Sequence, residues 1–222
     1  MGWRCSPFSY EGSSMKPEQF IRESSKLVYG VGVNDWVGTT YAAETGGRIP
    51  EYRLWHRMLE RTHCKKYQER NPSYRDSTVD PNWLSFTSFI NDVSSLKGYS
   101  EAITEGWNFD KDIICKGNKH YSLERCCFVP KAINVLITNS KAKRGIYPIG
   151  VCFHKRDNKF QVSVKEGNRN KHIGSFNNPT DAFYAYKAAK EAHIKAVANE
   201  WKERIDPRVY EALMSYTIDI TD

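Results

Sequence analysis

Polar and hydrophobic residues alternate strictly along residues 159–165, with polar side chains at the odd positions and apolar side chains at the even ones. This period of two predicts a β-strand with one buried face. Residues 147–153 and 171–176 are predicted to form the two neighbouring strands. An Asn-Pro-Thr-Asp sequence then predicts a capped helix over residues 178–204. We expect residues 139–222 to form a three-stranded antiparallel sheet packed on one long helix.

The preceding part of the chain has a helical pattern instead. Apolar residues recur at helical spacing over residues 51–61 and again beyond Pro81, which predicts two amphipathic helices. Residues 1–25 are rich in Ser, Gly and Pro and predict a flexible N-terminal tail. The first folded domain is therefore expected over residues 26–138, and the whole chain is expected to be an α+β protein of two domains.

A strand–loop–strand–helix unit is predicted at the end of this first domain. Two short apolar runs, at residues 109–114 and 126–129, flank a polar loop that contains Gly117, which is a hairpin signal. Pro130 follows, and proline is favoured at the first position of a helix because its missing N–H needs no partner there. Such a ββα unit can fold back on itself, so that its first strand and its helix meet.

The composition is that of an ordinary globular protein, with 40% hydrophobic residues among 222. No apolar run reaches the roughly 20 residues of a membrane span, and the N-terminus lacks the apolar core of a signal peptide. The sequence therefore predicts a cytoplasmic protein without a membrane partner. We expect a monomer, and no motif predicts a small-molecule cofactor.

Six cysteines are present, without a C-x-x-C motif. A zinc site built from His63, Cys64, Cys115, His120 and Cys126 is conceivable, but this spacing fits no known zinc signature. Buried reduced thiols are the better interpretation, and zinc is not expected.

The excess of positive charge is confined to one segment. Residues 141–175 contain nine Lys or Arg and two acidic residues, so this segment carries the whole net charge of +7. Such a concentration is typical of a nucleic-acid contact, and a merely basic soluble surface is the alternative. The residues expected to contact DNA are Lys143, Arg144, His154, Lys155, Arg156, Lys159, Gln161, Ser163, Lys165, Arg169, Lys171 and His172, together with Arg57 and Arg61 on the first predicted helix.

Two oxygen ligands are expected to meet within the ββα unit. Asp110 lies in its first predicted strand and Asn134 in the first turns of its helix. A carboxylate and an amide oxygen with open positions suit a hard divalent cation that carries water and a phosphate, such as Mg²⁺ or Mn²⁺.

This unit resembles the ββα-metal site of HNH endonucleases, especially the homing-type enzymes of phages. The wider similarity is carried by Gly30-Val31-Gly32-Val33-Asn34-Asp35, Trp55-His56-Arg57-Met58-Leu59, Trp83-Leu84-Ser85-Phe86 and Gly117-Asn118-Lys119. The resemblance implies that Asp110 and Asn134 hold the metal and that the protein acts in the host cell of a phage.

The chain departs from the HNH pattern at the general base, because Lys111 stands where the family has a histidine. A lysine is charged at pH 7 and is a poor base unless burial or a cation lowers its pKa. Alternatively, Lys111 stabilises phosphate charge while Asp112 or His120 activates water. These three residues are the catalytic candidates, and a non-catalytic Lys111 in a surface charge pattern stays open.

Residues 147–186 resemble the DNA-binding domain of plant Apetala/ethylene-response factors. The matching segments are Tyr147-Pro148-Ile149-Gly150-Val151, His172-Ile173-Gly174-Ser175-Phe176, and Asp181-Ala182 with Ala185-Tyr186. The resemblance implies that the free face of the sheet enters the major groove of DNA. The plant domains carry more Arg and Trp on that face, so their base specificity does not transfer.

Two functions of different classes follow. The first is metal-dependent nicking or double-strand cleavage of DNA, of the homing or free-standing type. The second is a DNA-binding protein whose HNH-like unit has lost its chemistry and serves as scaffold, regulator or inhibitor. RNA binding by the same basic sheet is a third, weaker interpretation.

Overall fold

The computed structural model describes residues 27–43, 46–137, 146–167 and 169–222. The predicted N-terminal tail and the DNA-binding candidates Lys143 and Arg144 lie outside these ranges. None of the helices in the described ranges is long and apolar enough to cross a membrane.

The chain folds into short strands and helices followed by a larger sheet and a long helix. The first part contains β1 (Tyr41–Ala42), β2 (Gly47–Arg48), α1 (Pro50–His63), α2 (Lys65–Arg70), β3 (Thr78–Val79), α3 (Phe86–Val93), α4 (Tyr99–Thr104), β4 (Asn108–Asp110), β5 (His120–Tyr121), β6 (Cys127–Val129) and α5 (Lys131–Ile137). The second part contains β7 (Val151–His154), β8 (Lys159–Glu166), β9 (Arg169–Phe176), α6 (Pro179–Trp201) and α7 (Pro207–Met214). Short 3₁₀ helices occur at Pro72–Tyr74 and Pro81–Leu84.

Strands β4 and β6 pair antiparallel, and α5 follows β6 directly after Pro130. The first strand is shorter than the predicted run of residues 109–114, because the chain turns at Asp110. One carboxylate oxygen of Asp110 accepts hydrogen bonds from the backbone N–H groups of Asp112 (2.8 Å) and Ile113 (3.0 Å). This local turn satisfies both donors without a partner strand and so ends β4.

The core of the first part is aromatic. Trp55, Trp83, Phe86, Phe89 and Phe128 are all fully buried, which agrees with the helical spacing of α1 and of the segment after Pro81. The indole N–H of Trp55 donates to the carbonyl oxygen of Trp83 at 2.8 Å, so its polar atom is satisfied in the interior.

The three-stranded antiparallel sheet with one long helix is confirmed, with strand order β7-β8-β9. Val162 and Val164 are buried between polar neighbours, which is the alternation that predicted β8. Helix α6 begins as predicted, because the Asn178 side chain accepts a hydrogen bond from the N–H of Asp181 at 2.8 Å. A register shift between Val162 and Ser163 bends the sheet locally.

Gly150 lets the chain approach α6 closely at the entry to β7. Its φ is +77°, and a Cβ built there would lie 2.1 Å from the ring of Tyr186. Gly167, in the β8–β9 turn, also has a positive φ (+60°), but no atom lies within 4 Å of its hypothetical Cβ. An alanine at Gly167 would therefore meet backbone strain alone, whereas an alanine at Gly150 would meet both backbone strain and a steric clash.

We expect Gly150→Ala to destabilise the protein by about 2–5 kcal/mol, since left-handed strain of about 1–2 kcal/mol adds to the clash with Tyr186. Gly167→Ala should cost only the strain. Urea unfolding of both variants measures the difference, and equal losses would contradict the close approach between Gly150 and Tyr186.

The C-terminal residues pack against the first part of the chain. Buried residues Ile194, Ile205, Val209 and Leu213 belong to the same hydrophobic cluster as Trp55 and Phe128. The rings of Trp107 and Trp201 lie 5.9 Å apart, edge to face. A cut between residues 138 and 139 would therefore expose apolar surface on both sides.

Candidate metal and nucleic-acid site

A cavity of about 510 Å³ lies where β4, α5, the 3₁₀ helix around Tyr74 and the C-terminal segment meet. Asp110 at the end of β4 and Asn134 on α5 both line it, so the ββα unit brings the two expected metal ligands to one space. The cavity is also lined by Arg61, Asp112, Lys116 and Tyr216. With Asn108, two carboxylates, two amides and two cationic side chains thus line it.

The carboxyl group of Asp110 lies in an unfavourable place for a negative charge. Burial, and after it repulsion from the neighbouring Asp112 carboxylate, raise its pKa to about 6, against the lowering effect of the N–H groups of Asp112 and Ile113. A cation in the cavity would relieve both the repulsion and the loss of hydration.

Lys111 is turned inward, with 6% of its surface exposed. Its Nζ lies 3.3 Å from an oxygen of Asp112 and within 5.9 Å of the ring centroids of Tyr74 and Tyr121. It lines a smaller space of about 110 Å³ next to Asp110. The ammonium group is thus held beside Asp112 between two aromatic rings.

His120, the third catalytic candidate, lines neither of these two spaces. Its Nδ1 is 2.8 Å from the hydroxyl of Thr78, on the neighbouring strand β3. Asn118 closes the loop between them, since its amide donates at 2.7 Å to the carbonyl oxygens of both Lys111 and His120. The structure therefore separates His120 from Asp110 and Asn134, whereas Lys111 and Asp112 lie beside Asp110.

Among the residues that the structure describes, no group of three or more His, Cys, Asp or Glu side chains is arranged to hold a metal. A cation in the 510 Å³ cavity would rest on the oxygens of Asp110 and Asn134 and on water. This donor set fits a hard ion such as Mg²⁺ or Mn²⁺. The buried thiols of Cys126 and Cys127 have a raised pKa because of burial, so they stay protonated at neutral pH.

The DNA-binding candidates of the second part divide between the two faces of the sheet. The strand register puts six of them on the face away from α6: His154, Lys159, Gln161, Ser163, Lys165 and His172. Lys171 and Arg169 pair with Val164 and Glu166, on the α6 side of the sheet, and Lys171 Nζ lies 3.1 Å from Glu166.

Lys155 and Arg156 occupy the exposed turn between β7 and β8. Arg156 and His154 each contact Asp157 at 2.9 Å, so part of the local positive charge is balanced. Arg57 is exposed on α1, and Arg61 is half-buried with its guanidinium 5.1 Å from the ring centre of Tyr74.

The cavity residues that the sequence did not reveal include Tyr74, Lys116 and Tyr216. Lys116 donates to the carbonyl of Thr217 and to Asp222, which fixes the C-terminal segment beside the hairpin loop. A contact across 101 residues leaves no local signal in the sequence. Arg53, which lines a neighbouring groove, was also missed, although it lies four residues before Arg57, which itself lies four residues before Arg61.

Compared with known proteins, the chain matches no family model, no curated protein and no solved structure.

Proposed function

We propose that the protein is a metal-dependent DNA endonuclease whose cation is held by Asp110 and Asn134. The observation that carries the proposal is the shared cavity: a strand carboxylate and a helix amide line it together with Arg61 and Lys116. Oxygen ligands for a cation next to fixed positive side chains suit a phosphodiester at which negative charge builds up.

Each side chain has a role in this proposal. A divalent cation held by Asp110 and Asn134 would polarise the phosphate and lower the pKa of a bound water. Arg61 and Lys116 face the same cavity and would stabilise the non-bridging phosphate oxygens. Lys111, ion-paired with Asp112, is suited to holding that carboxylate rather than to accepting a proton from water. Asp112, with 48% of its side chain exposed, is then the group best able to receive the proton.

Incubation of the purified chain with supercoiled plasmid and Mg²⁺ or Mn²⁺ tests this function. We expect conversion to open circular or linear DNA, and we expect chelator to stop it. A preparation that binds the plasmid but leaves it intact in both metals would reject the endonuclease.

A DNA-binding protein without chemistry is the second candidate. It is favoured by the absence of any histidine among the described residues that line the 510 Å³ cavity, and by the hydrogen bond that holds His120 at Thr78. In this case the cavity has no catalytic function, and the protein binds DNA through its basic surfaces as scaffold, regulator or inhibitor. The plasmid assay separates the two candidates, because only the endonuclease changes the DNA.

We further propose that the face of the sheet away from α6 contacts duplex DNA. Gln161, Ser163 and Lys165 alternate with the buried Val162 and Val164, so their donors share one side of β8. A row of long donors on a sheet suits the major groove, in which base edges can be read. Competition between duplex DNA and RNA of the same sequence distinguishes this proposal from RNA binding.

Two neighbouring lysines on opposite faces test this surface. Lys165→Ala should lower the slope of log affinity against log salt by about one, the effect of one lost phosphate contact. Lys171→Ala should change it little, because Lys171 lies on the α6 side and pairs with Glu166. Fluorescence anisotropy at several salt concentrations measures both variants, and equal slopes would argue against the proposed face.

A further inference from the structure

A second groove, of about 260 Å³, runs between α1 and the segment that leads into β4. Arg53, Arg57 and Arg61 line one side of it, and Trp107, Asn108 and Phe109 line the other. Arg61, Asn108 and Phe109 also line the 510 Å³ cavity that contains Asp110 and Asn134. The groove and the cavity are therefore neighbours with a common wall.

The three arginines form a stripe on one face of α1, because residues four apart in a helix lie one above another. Their backbones span about 12 Å along the helix axis. One strand of duplex DNA carries a phosphate about every 3.4 Å of its axis, so the stripe is as long as about three to four phosphates.

The positive charge of this stripe is not balanced locally. Within the described part of the chain, Arg53 and Arg57 have no acidic group within 4 Å. Glu105, which accepts a hydrogen bond from the indole N–H of Trp107, is engaged by Arg204 at 3.1 Å. Two exposed guanidinium groups in a groove without a counter-ion are suited to an external anion.

We infer that this groove binds the sugar–phosphate backbone of a DNA strand on its way to the Asp110–Asn134 cavity. Arg53 and Arg57 contact successive phosphates, and Arg61 contacts the phosphate at the common wall. That the bound strand leads to the Asp110–Asn134 cavity rests on the proposed function. The binding itself requires no cleavage, so the two can fail separately.

The test uses the full-length chain and a DNA duplex in chelator, so that no cleavage occurs. We expect Arg53→Ala with Arg57→Ala to lower the salt slope of binding by about two and to weaken affinity on the order of tenfold at moderate salt. Arg70→Ala with Arg75→Ala removes the same charge from exposed positions outside the groove and should change the slope by less than one unit. Arg53→Lys with Arg57→Lys keeps the charge and should restore most of the slope.

Duplexes with a single neutral methylphosphonate locate the contact. In the wild type, neutralising one of a few adjacent phosphates should weaken binding, and the same substitution should have no effect in the double alanine variant. The inference is overturned if the two double alanine variants lower the slope equally, or if the methylphosphonate effects persist without Arg53 and Arg57. If the binding results are as expected but the wild type does not nick plasmid, only the endonuclease proposal is rejected.

Discussion

Asp110→Ala should reduce metal-dependent DNA cleavage by about a thousandfold or more, while DNA affinity changes by less than about threefold. Asp110 is the carboxylate at the end of β4 that lines the same cavity as Asn134. Its removal deletes the charged ligand proposed for the cation. The basic surfaces of the sheet and of α1 are left in place, so binding should persist.

Controls make this result specific to the site. Asp110→Asn keeps the size of the side chain and should lose nearly as much activity, whereas Asp76→Asn makes the same change at an exposed aspartate outside the cavity and should lose none. Lys111→His introduces the histidine of the resembled family and should lower an activity that depends on the Lys111–Asp112 pair. If Asp110→Asn cleaves at the wild-type rate, Asp110 is not a metal ligand.

Asp206→Ala should destabilise the folded protein by about 2–3 kcal/mol, since it removes a helix cap together with the hydrogen-bonded partner of Arg208, whose side chain is 38% exposed. Asp206 accepts from the backbone N–H of Arg208 at 2.8 Å and contacts its guanidinium at 2.8 Å, and its residue surface is 6% exposed. Arg208 in turn donates to the carbonyl oxygens of Leu123, Glu124 and Cys126. The pair therefore joins α7 to the chain entering β6.

The same pair gives a pH dependence of known sign. Burial raises the pKa of Asp206, but the hydrogen bonds from Arg208 outweigh it and hold the pKa below its ordinary value. A carboxyl whose pKa is lowered by folding stabilises the protein above its unfolded pKa, near 3.9, and this contribution is lost as the pH falls through the folded value.

Chemical denaturation at pH 7 and at pH 3 measures both effects of Asp206. The difference in unfolding free energy between wild type and Asp206→Ala should be larger at pH 7 and smaller at pH 3. Asp206→Asn keeps an acceptor for the helix cap and should lose less than alanine at pH 7. A difference that does not change with pH would show that the ion pair contributes nothing to stability.

Local patterns predicted the elements whose structure is decided by neighbouring residues. The alternation around Val162 and the cap at Asn178 gave β8 and the start of α6, and both are confirmed. The predicted end of β4 was wrong. The apolar residue Ile113 extended the hydrophobic pattern beyond Asp110, but the chain turns at Asp110. In this case a side-chain hydrogen bond overrides the hydrophobic pattern.

The candidate site could be predicted only in part. Asp110 and Asn134 lie 24 positions apart in one supersecondary unit, so a motif could connect them. Tyr216 reaches the cavity from the C-terminal segment, and Lys116 is oriented by that segment. Contacts at such a separation are decided by tertiary packing, which no local periodicity records. The parallel pairing of β3 with β5 escaped prediction for the same reason.

The packing of Tyr216 and α7 against the first part of the chain has a consequence for synthesis. A chain leaves the ribosome from its N-terminus, so β4, β6 and α5 emerge well before residues 207–216. Until those residues follow, Arg208 cannot reach the carbonyl groups before β6, and the cavity lacks its Tyr216 wall. The site is therefore assembled last, and an incomplete nascent chain carries Asp110 and Asn134 without the enclosure around them.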